Sequence, residues 1–190
     1  LGDIGFATAH ALKQTGCRVA LGDLHLTGRD TAGFHVHQVD VASETSVQAW
    51  FGAVESAFGD PASVIVVNAG IVSLSSALAA TLDDWNRTLA VNLTGAWLTA
   101  RTGARRLIEQ KMPGRIVFVG SWAGHAPHVE LAAYSTAKAG LRMLTQCLAL
   151  ELAPRGILVN ELAPGYVDAG LSGQIYKGNS AMKARAIDGV

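Results

Sequence analysis

Five short Val- and Ile-rich runs, spaced by helix-length segments, constrain this chain more than any other feature. They fall at about 17–23 (CRVALGD), 33–39 (GFHVHQV), 63–68 (SVIVVN), 114–120 (GRIVFVG) and 157–162 (ILVNEL). Their hydrophobicity is nearly continuous, which fits strands covered on both faces in a parallel sheet. Between them lie segments long enough for helices, at about 4–15, 43–58, 82–111 and 132–153. The alternation predicts an α/β fold, a doubly wound parallel sheet in three layers. The 190 residues suffice for one domain with a substantial core, so a single domain over 1–190 is expected. The stretch 165–190 is glycine-rich with little periodicity, and reads as a mobile loop with some helix.

The chain is 49% hydrophobic and 16% charged with zero formal net charge, and has no basic patch or charged tail. A nucleic-acid partner is therefore not expected. Its apolar runs have strand length, so no membrane partner is expected either. Cys17 and Cys147 have no metal-binding or redox spacing, and read as buried small hydrophobes in a reducing cytoplasm, the expected location. The six histidines lack ligand spacing, and no metal is expected. His35 and His37 would share one face of a strand.

One segment carries chemistry. In Ser121–Lys138, SWAGHAPHVELAAYSTAK, Tyr134 stands four residues before Lys138, and Ser121 stands thirteen before Tyr134. On a helix, positions i and i+4 share a face, so the phenol and the ammonium would point the same way. A phenol is a poor proton carrier at neutral pH, with an ordinary pKa of about 10. A fixed ammonium nearby favours the phenolate and brings it toward the working range.

With its surroundings this segment resembles the short-chain dehydrogenase/reductase family over nearly the whole chain. Ser121 follows the strand-like RIVFVG, Asn68-Ala69-Gly70 follows SVIVV, Asn92 lies in AVNLTGAW, and Pro164-Gly165 follows ILVNELA, in the family's order and spacing. The resemblance implies a Rossmann fold and hydride transfer between a nicotinamide dinucleotide and an alcohol or carbonyl. It makes Tyr134 the general acid/base, with Lys138 lowering its pKa and bonding the nicotinamide ribose. Ser121 would donate a hydrogen bond to the substrate oxygen. Asn92 would hold a water that links Lys138 to solvent.

The same resemblance locates the cofactor. Gly5 belongs to a glycine-rich turn whose backbone approaches a pyrophosphate at a helix N-terminus, and Ile4 is counted with the binding residues. Asp3 replaces one of the family's glycines; the preferred reading is a helix N-cap, the other a carboxylate that repels phosphate. Asp23, eighteen residues after Gly5, is where an acid accepts hydrogen bonds from both ribose hydroxyls of NAD. It would repel the 2′-phosphate of NADP, so NAD is preferred and NADP is the less favoured cofactor. Asp40 would bond the adenine amino group, with Val41 packed beside the ring. Gly70 allows close backbone approach, and Asn68 and Ala69 adjoin it. Pro164, Gly165 and Val167 complete the cofactor-binding set.

Substrate choice is less defined. Ser73, Leu74, Trp122, His125 to Glu130 and Tyr166 to Leu171 are pocket candidates, with Trp122 read as packing behind Ser121 rather than lining the pocket. A small or medium alcohol or carbonyl compound is expected. The alternatives are an NADP-dependent 3-oxoacyl carrier-protein reductase and a catalytically silent dinucleotide-binding or assembly protein. Leu141, Leu144, Leu148 and Leu152 form a helical apolar stripe, and the family resemblance implies a homodimer or homotetramer. The chain opens at Leu1-Gly2-Asp3-Ile4-Gly5, inside the glycine-rich turn, so it is expected to be a fragment lacking the family's first strand and C-terminal end. The edges of 17–23 and 63–68 should then face an open slot, or close on each other by about 4.8 Å.

Overall fold

The computed structural model describes residues 1–167, 169, 170 and 173. Most of the stretch predicted as loop and helix beyond Val167, Leu171 included, lies outside the described residues. In chain order the elements are α1 (Asp3–Gln14), β1 (Ala20–Asp23), β2 (His35–Gln38), α2 (Glu44–Phe58), β3 (Val64–Val67) and α3 (Leu82–Leu89). A π-helical turn (Ala90–Gly95), α4 (Ala96–Glu109), β4 (Gly114–Val119), α5 (Ala132–Leu152) and β5 (Ile157–Leu162) follow. All five predicted strands and all four predicted helical segments are present. The segment 82–111 is interrupted where Asn92 turns inward within the wide turn.

Local chemistry sets several boundaries. The Ser43 hydroxyl accepts the Ser46 N–H at the head of α2, and Gly59 ends that helix in the left-handed region at φ 81°. The Thr81 hydroxyl accepts the Asp84 N–H at the head of α3. Helix α1 starts one residue earlier than Ile4, its N-cap is Gly2, and no side chain caps it. Asp3 is therefore not the N-cap: its carboxylate is drawn instead to the Arg29 guanidinium and to the Gly170 N–H, 2.7 Å away.

The parallel strands form two sheets. One is β1–β2, with Leu21 opposite Val36; the other is β3–β4–β5, with Ile116 between Ile65 and Val159. Strand β4 is central and carries the fully buried Ile116 and Phe118. Leu107 of α4 and Leu141 of α5 complete this core with Ile157. Leu141 and Leu152 are buried, and Leu144 and Leu148 pack against the same cluster, so the leucine stripe is core. Cys17 and Cys147 are both exposed, contrary to the burial expected of free cysteines: Cys17 lies in the loop after α1, and Cys147 faces outward on α5.

The edges of β1 and β3 do not pair with each other. A cavity of about 340 Å³ is lined by residues 19–23 on one side and 63–67 on the other. Phe6, Ala9 and Leu12 of α1 and Trp50, Phe51 and Val54 of α2 also line it. The open slot is thus the arrangement found, and Ala9 is the one buried residue of α1.

Candidate active site

The first turns of α5 and the end of β4 bring the proton-handling residues together. Tyr134 and Lys138 share a face of α5, and Lys138 Nζ lies 5.7 Å from the centroid of the Tyr134 ring. The Lys138 side chain is buried, and its Nζ donates to the Val119 carbonyl at 2.8 Å. Ser121 follows two residues after Val119. Its hydroxyl accepts the Ala123 N–H at 3.1 Å, which fixes the short 3₁₀ turn Trp122–Gly124. The sheet end thereby presents the hydroxyl toward the phenol.

Burial dominates the ionisation of both groups. It pushes the Tyr134 phenol above its ordinary value, while the facing Ser121 hydroxyl pulls it down by hydrogen bonding. Burial also lowers the Lys138 ammonium to about 8, against the opposing charge of Glu161. The spacing of Tyr134 and Lys138 predicts a phenol lowered by its ammonium neighbour. In this geometry desolvation wins, because both groups sit in a low-dielectric interior.

Asn92 reaches the same site from the π turn. Its Oδ1 accepts the Ile71 N–H and its Nδ2 donates to the Ile71 carbonyl, both at 2.8 Å. The side chain expected to hold a water thus fastens the loop after β3. Gly70 permits this packing: a Cβ there would lie 3.3 Å from Asn92 Oδ1 and 3.9 Å from Lys138 Nζ.

The predicted cofactor residues line the same end of the strands. Asp23 closes β1, and its Oδ1 accepts the His25 N–H at 3.0 Å. Asp40 follows β2 and accepts the Ala42 N–H at 2.9 Å, while Val41 packs against Gly95. Gly5 lets α1 approach the end of β3, since a Cβ would come within 2.6 Å of the Asn68 amide. Asn68 thus braces α1 and β3. Ala69 adjoins Gly70, and the Pro164 carbonyl accepts the Trp122 N–H at 3.0 Å, tying the loop after β5 to the active-site turn. Gly165 has open space where a Cβ would be, and the half-buried Val167 follows it.

These residues fit a dinucleotide. A carboxylate at the end of β1 suits ribose hydroxyls, and Gly2 and Gly165 leave open backbone on which a ligand can lie. The charge of Asp3 at the head of α1 is met by Arg29 and by the Gly170 amide.

Sequence reasoning missed Glu161 and Arg29. Glu161 lies within the recognised ILVNELA run, yet nothing in its type shows that its carboxyl turns inward. Trp122, expected to pack behind Ser121, has its ring 5.0 Å from both His128 and Tyr166.

A family model described as short chain dehydrogenase matches residues 2–180. The chain belongs to the short-chain dehydrogenase family. It is 38% identical over 138 residues to the 3-oxoacyl-(acyl-carrier-protein) reductase FabG of Aquifex aeolicus, covering 73% of this chain and 55% of that protein. It therefore spans little more than half the length of that relative. It is 32% identical over 169 residues to carbonyl reductase (NADPH) 2 of Sus scrofa, covering 86% of this chain and 67% of that one. A short-chain type dehydrogenase/reductase from Mycobacterium marinum has a crystal structure that superposes with TM-score 0.87 at 29% identity, covering 97% of this chain and 76% of the other. The family's structures share the parallel α/β arrangement described above, which makes this chain a member of the Rossmann-type fold.

Proposed function

We propose that this chain carries the active site of an NAD-dependent oxidoreductase interconverting a secondary alcohol and a ketone. The observation that carries the reading is the convergence of Ser121, Tyr134 and Lys138 at the end of β4. Asp23, Asp40, Val41, Gly70 and the backbone at Ile4, Pro164, Gly165 and Val167 would hold the dinucleotide. When bound, the nicotinamide supplies the acceptor or donor of the hydride.

The protein's own part is proton handling. The Ser121 hydroxyl orients the substrate oxygen by donating a hydrogen bond. Tyr134 takes the hydroxyl proton in oxidation and returns it to the carbonyl oxygen in reduction. Lys138 places a positive charge under the phenol and stabilises the phenolate as it forms. Asn92 acts on this group from behind, by fixing Ile71 and the loop beside Gly70.

Asp23 favours NAD, because a carboxylate repels a 2′-phosphate. The likeness to an NADPH-named carbonyl reductase supports NADP as the second reading. The test is reduction of NAD and of NADP by the full-length protein against a panel of secondary alcohols. Tyr134→Phe should lower turnover by about 10²–10⁴-fold. Turnover undiminished in that variant would overturn the assignment.

A further inference from the structure

The carboxyl of Glu161 is turned into the fold. Glu161 lies on β5 opposite Phe118 of β4. Its Oε1 is buried and has no hydrogen-bond partner. The room for it comes from Gly120, where a Cβ would collide with the Glu161 carboxyl. Gly120 is itself held by a hydrogen bond from its N–H to the Leu162 carbonyl at 2.8 Å. Three consecutive residues therefore meet the site in different ways. Val119 accepts the Lys138 ammonium, Gly120 makes space for the Glu161 carboxyl, and Ser121 faces the phenol.

A carboxylate oxygen that is buried without a hydrogen bond is costly unless it answers a charge. Lys138 is the one buried cation among the described residues. Around its ammonium lie the Tyr134 ring on its own helix, the Val119 carbonyl of β4, Asn92 across Gly70 and, over the next residue of β4, Gly120, the Glu161 carboxyl from β5. Of these, Glu161 alone carries a charge of opposite sign. We propose that Glu161 is a positioning residue for the Tyr134–Lys138 pair, its inward-turned carboxylate being the counter-charge that keeps the Lys138 ammonium protonated beneath the phenol. The proposal rests on the catalytic reading of that pair given above. Its electrostatic direction agrees with the geometry: burial drives Lys138 down to about 8, and Glu161 opposes that fall. A protonated Lys138 is what favours the phenolate, so Glu161 acts on Tyr134 through Lys138.

The test is an NMR titration of lysine side chains in the wild-type protein and in Glu161→Gln, which keeps the shape and removes the charge. Lys138→Met assigns the resonance. Lys138 should titrate lower in Glu161→Gln, and Glu161→Asp should recover part of the difference. An unchanged Lys138 midpoint in a folded Glu161→Gln protein would overturn the proposal. Should that variant fail to fold, the carboxyl carbon of Glu161 in wild type decides. A carboxylate ionised at pH 7 supports the counter-charge, and a carboxyl still protonated there refutes it. Neither measurement needs turnover. An alkaline limb of kcat/KM in the full-length enzyme that moves with the Lys138 midpoint ties the pair to catalysis. A limb that stays put while Lys138 shifts would leave the charge pairing intact and remove Lys138 from the proposed mechanism.

Discussion

Lys138 donates from its buried Nζ to the carbonyl of Val119 at 2.8 Å. The contact ties the middle of α5 to the end of β4 and holds the charge where the phenol is. It also has a thermodynamic consequence. The ammonium titrates at about 8 in the fold against 10.5 as its ordinary value. Between those values the unfolded chain binds the proton and the folded one releases it, so folding stability rises with pH across this window. Below pH 8 the burial cost is present in full. Relative to Lys138→Met, the wild-type protein should gain of the order of 3 kcal/mol as pH rises from 8 to 10.5. The raised phenol of Tyr134 acts oppositely above pH 10 but is common to both proteins. Urea denaturation of the two across this range checks the sign, and a constant difference would contradict it.

The Asn92 side chain makes a two-way bond with Ile71. Asn92→Ala would leave an N–H and a C=O without partners near the site. Each orphaned group costs about 1–3 kcal/mol, so a loss of about 2–6 kcal/mol is expected by chemical denaturation. Asn92→Asp keeps the acceptor, loses the donor and buries a charge, and should be at least as damaging. A loss below about 1 kcal/mol in Asn92→Ala would mean that water replaces the amide at no cost.

The sheet and its helices were readable because buried parallel strands and amphipathic helices leave local patterns. The relationships that finish the site are not local. The turn at Asn92 is set by Ile71, twenty-one residues away in sequence. Asp3 reads as a cap because capping is a local rule, yet Arg29 claims it from twenty-six residues away. Spacing placed Tyr134 beside Lys138, but the direction in which the phenol shifts depends on burial, which spacing does not encode. The inward turn of Glu161 needs Gly120 on the neighbouring strand, and strand pairing has no signature in either residue.

Cofactor preference is testable at Asp23. Its carboxylate closes β1 and spends one oxygen on the His25 N–H. Leu24 beside it is 45% exposed and can accept a basic side chain. Asp23→Ala combined with Leu24→Arg should shift the ratio of kcat/KM for NAD over NADP by at least about tenfold toward NADP, through loss of repulsion and gain of a phosphate partner. A full-length enzyme that already uses NADP better than NAD would show that Asp23 does not exclude the phosphate.

Assembly is expected to use the outer face of α5. The leucine stripe is core, but Ala139, Met143, Cys147 and Leu150 recur along the exposed side, with Met143 58% and Leu150 80% exposed. An exposed apolar stripe at helical spacing fits the pairing of this helix with a second copy. Met143→Glu with Leu150→Glu should convert an oligomer to monomers in analytical ultracentrifugation, with the thermal midpoint of the monomer fold preserved. An oligomer that survives both charges would place the interface elsewhere.

The slot between the two sheets makes the last prediction. On the cavity side, β1 and β3 offer backbone groups that no strand among the described residues receives, whereas β4 is paired on both edges. Amides turned toward the cavity face side chains such as Phe6, Leu12 and Phe51 rather than a paired strand. Hydrogen exchange in the 190-residue chain should therefore be fast at the cavity-facing amides of 20–23 and 64–67. Ile116 and Phe118 of β4, both fully buried, should exchange slowly. Asp23 ends the loosely held strand, so its chain should bind a dinucleotide weakly in calorimetry. Protection of the slot-facing amides equal to that of β4, or well-behaved micromolar binding of NAD, would show that β1 is held as firmly as the central strands.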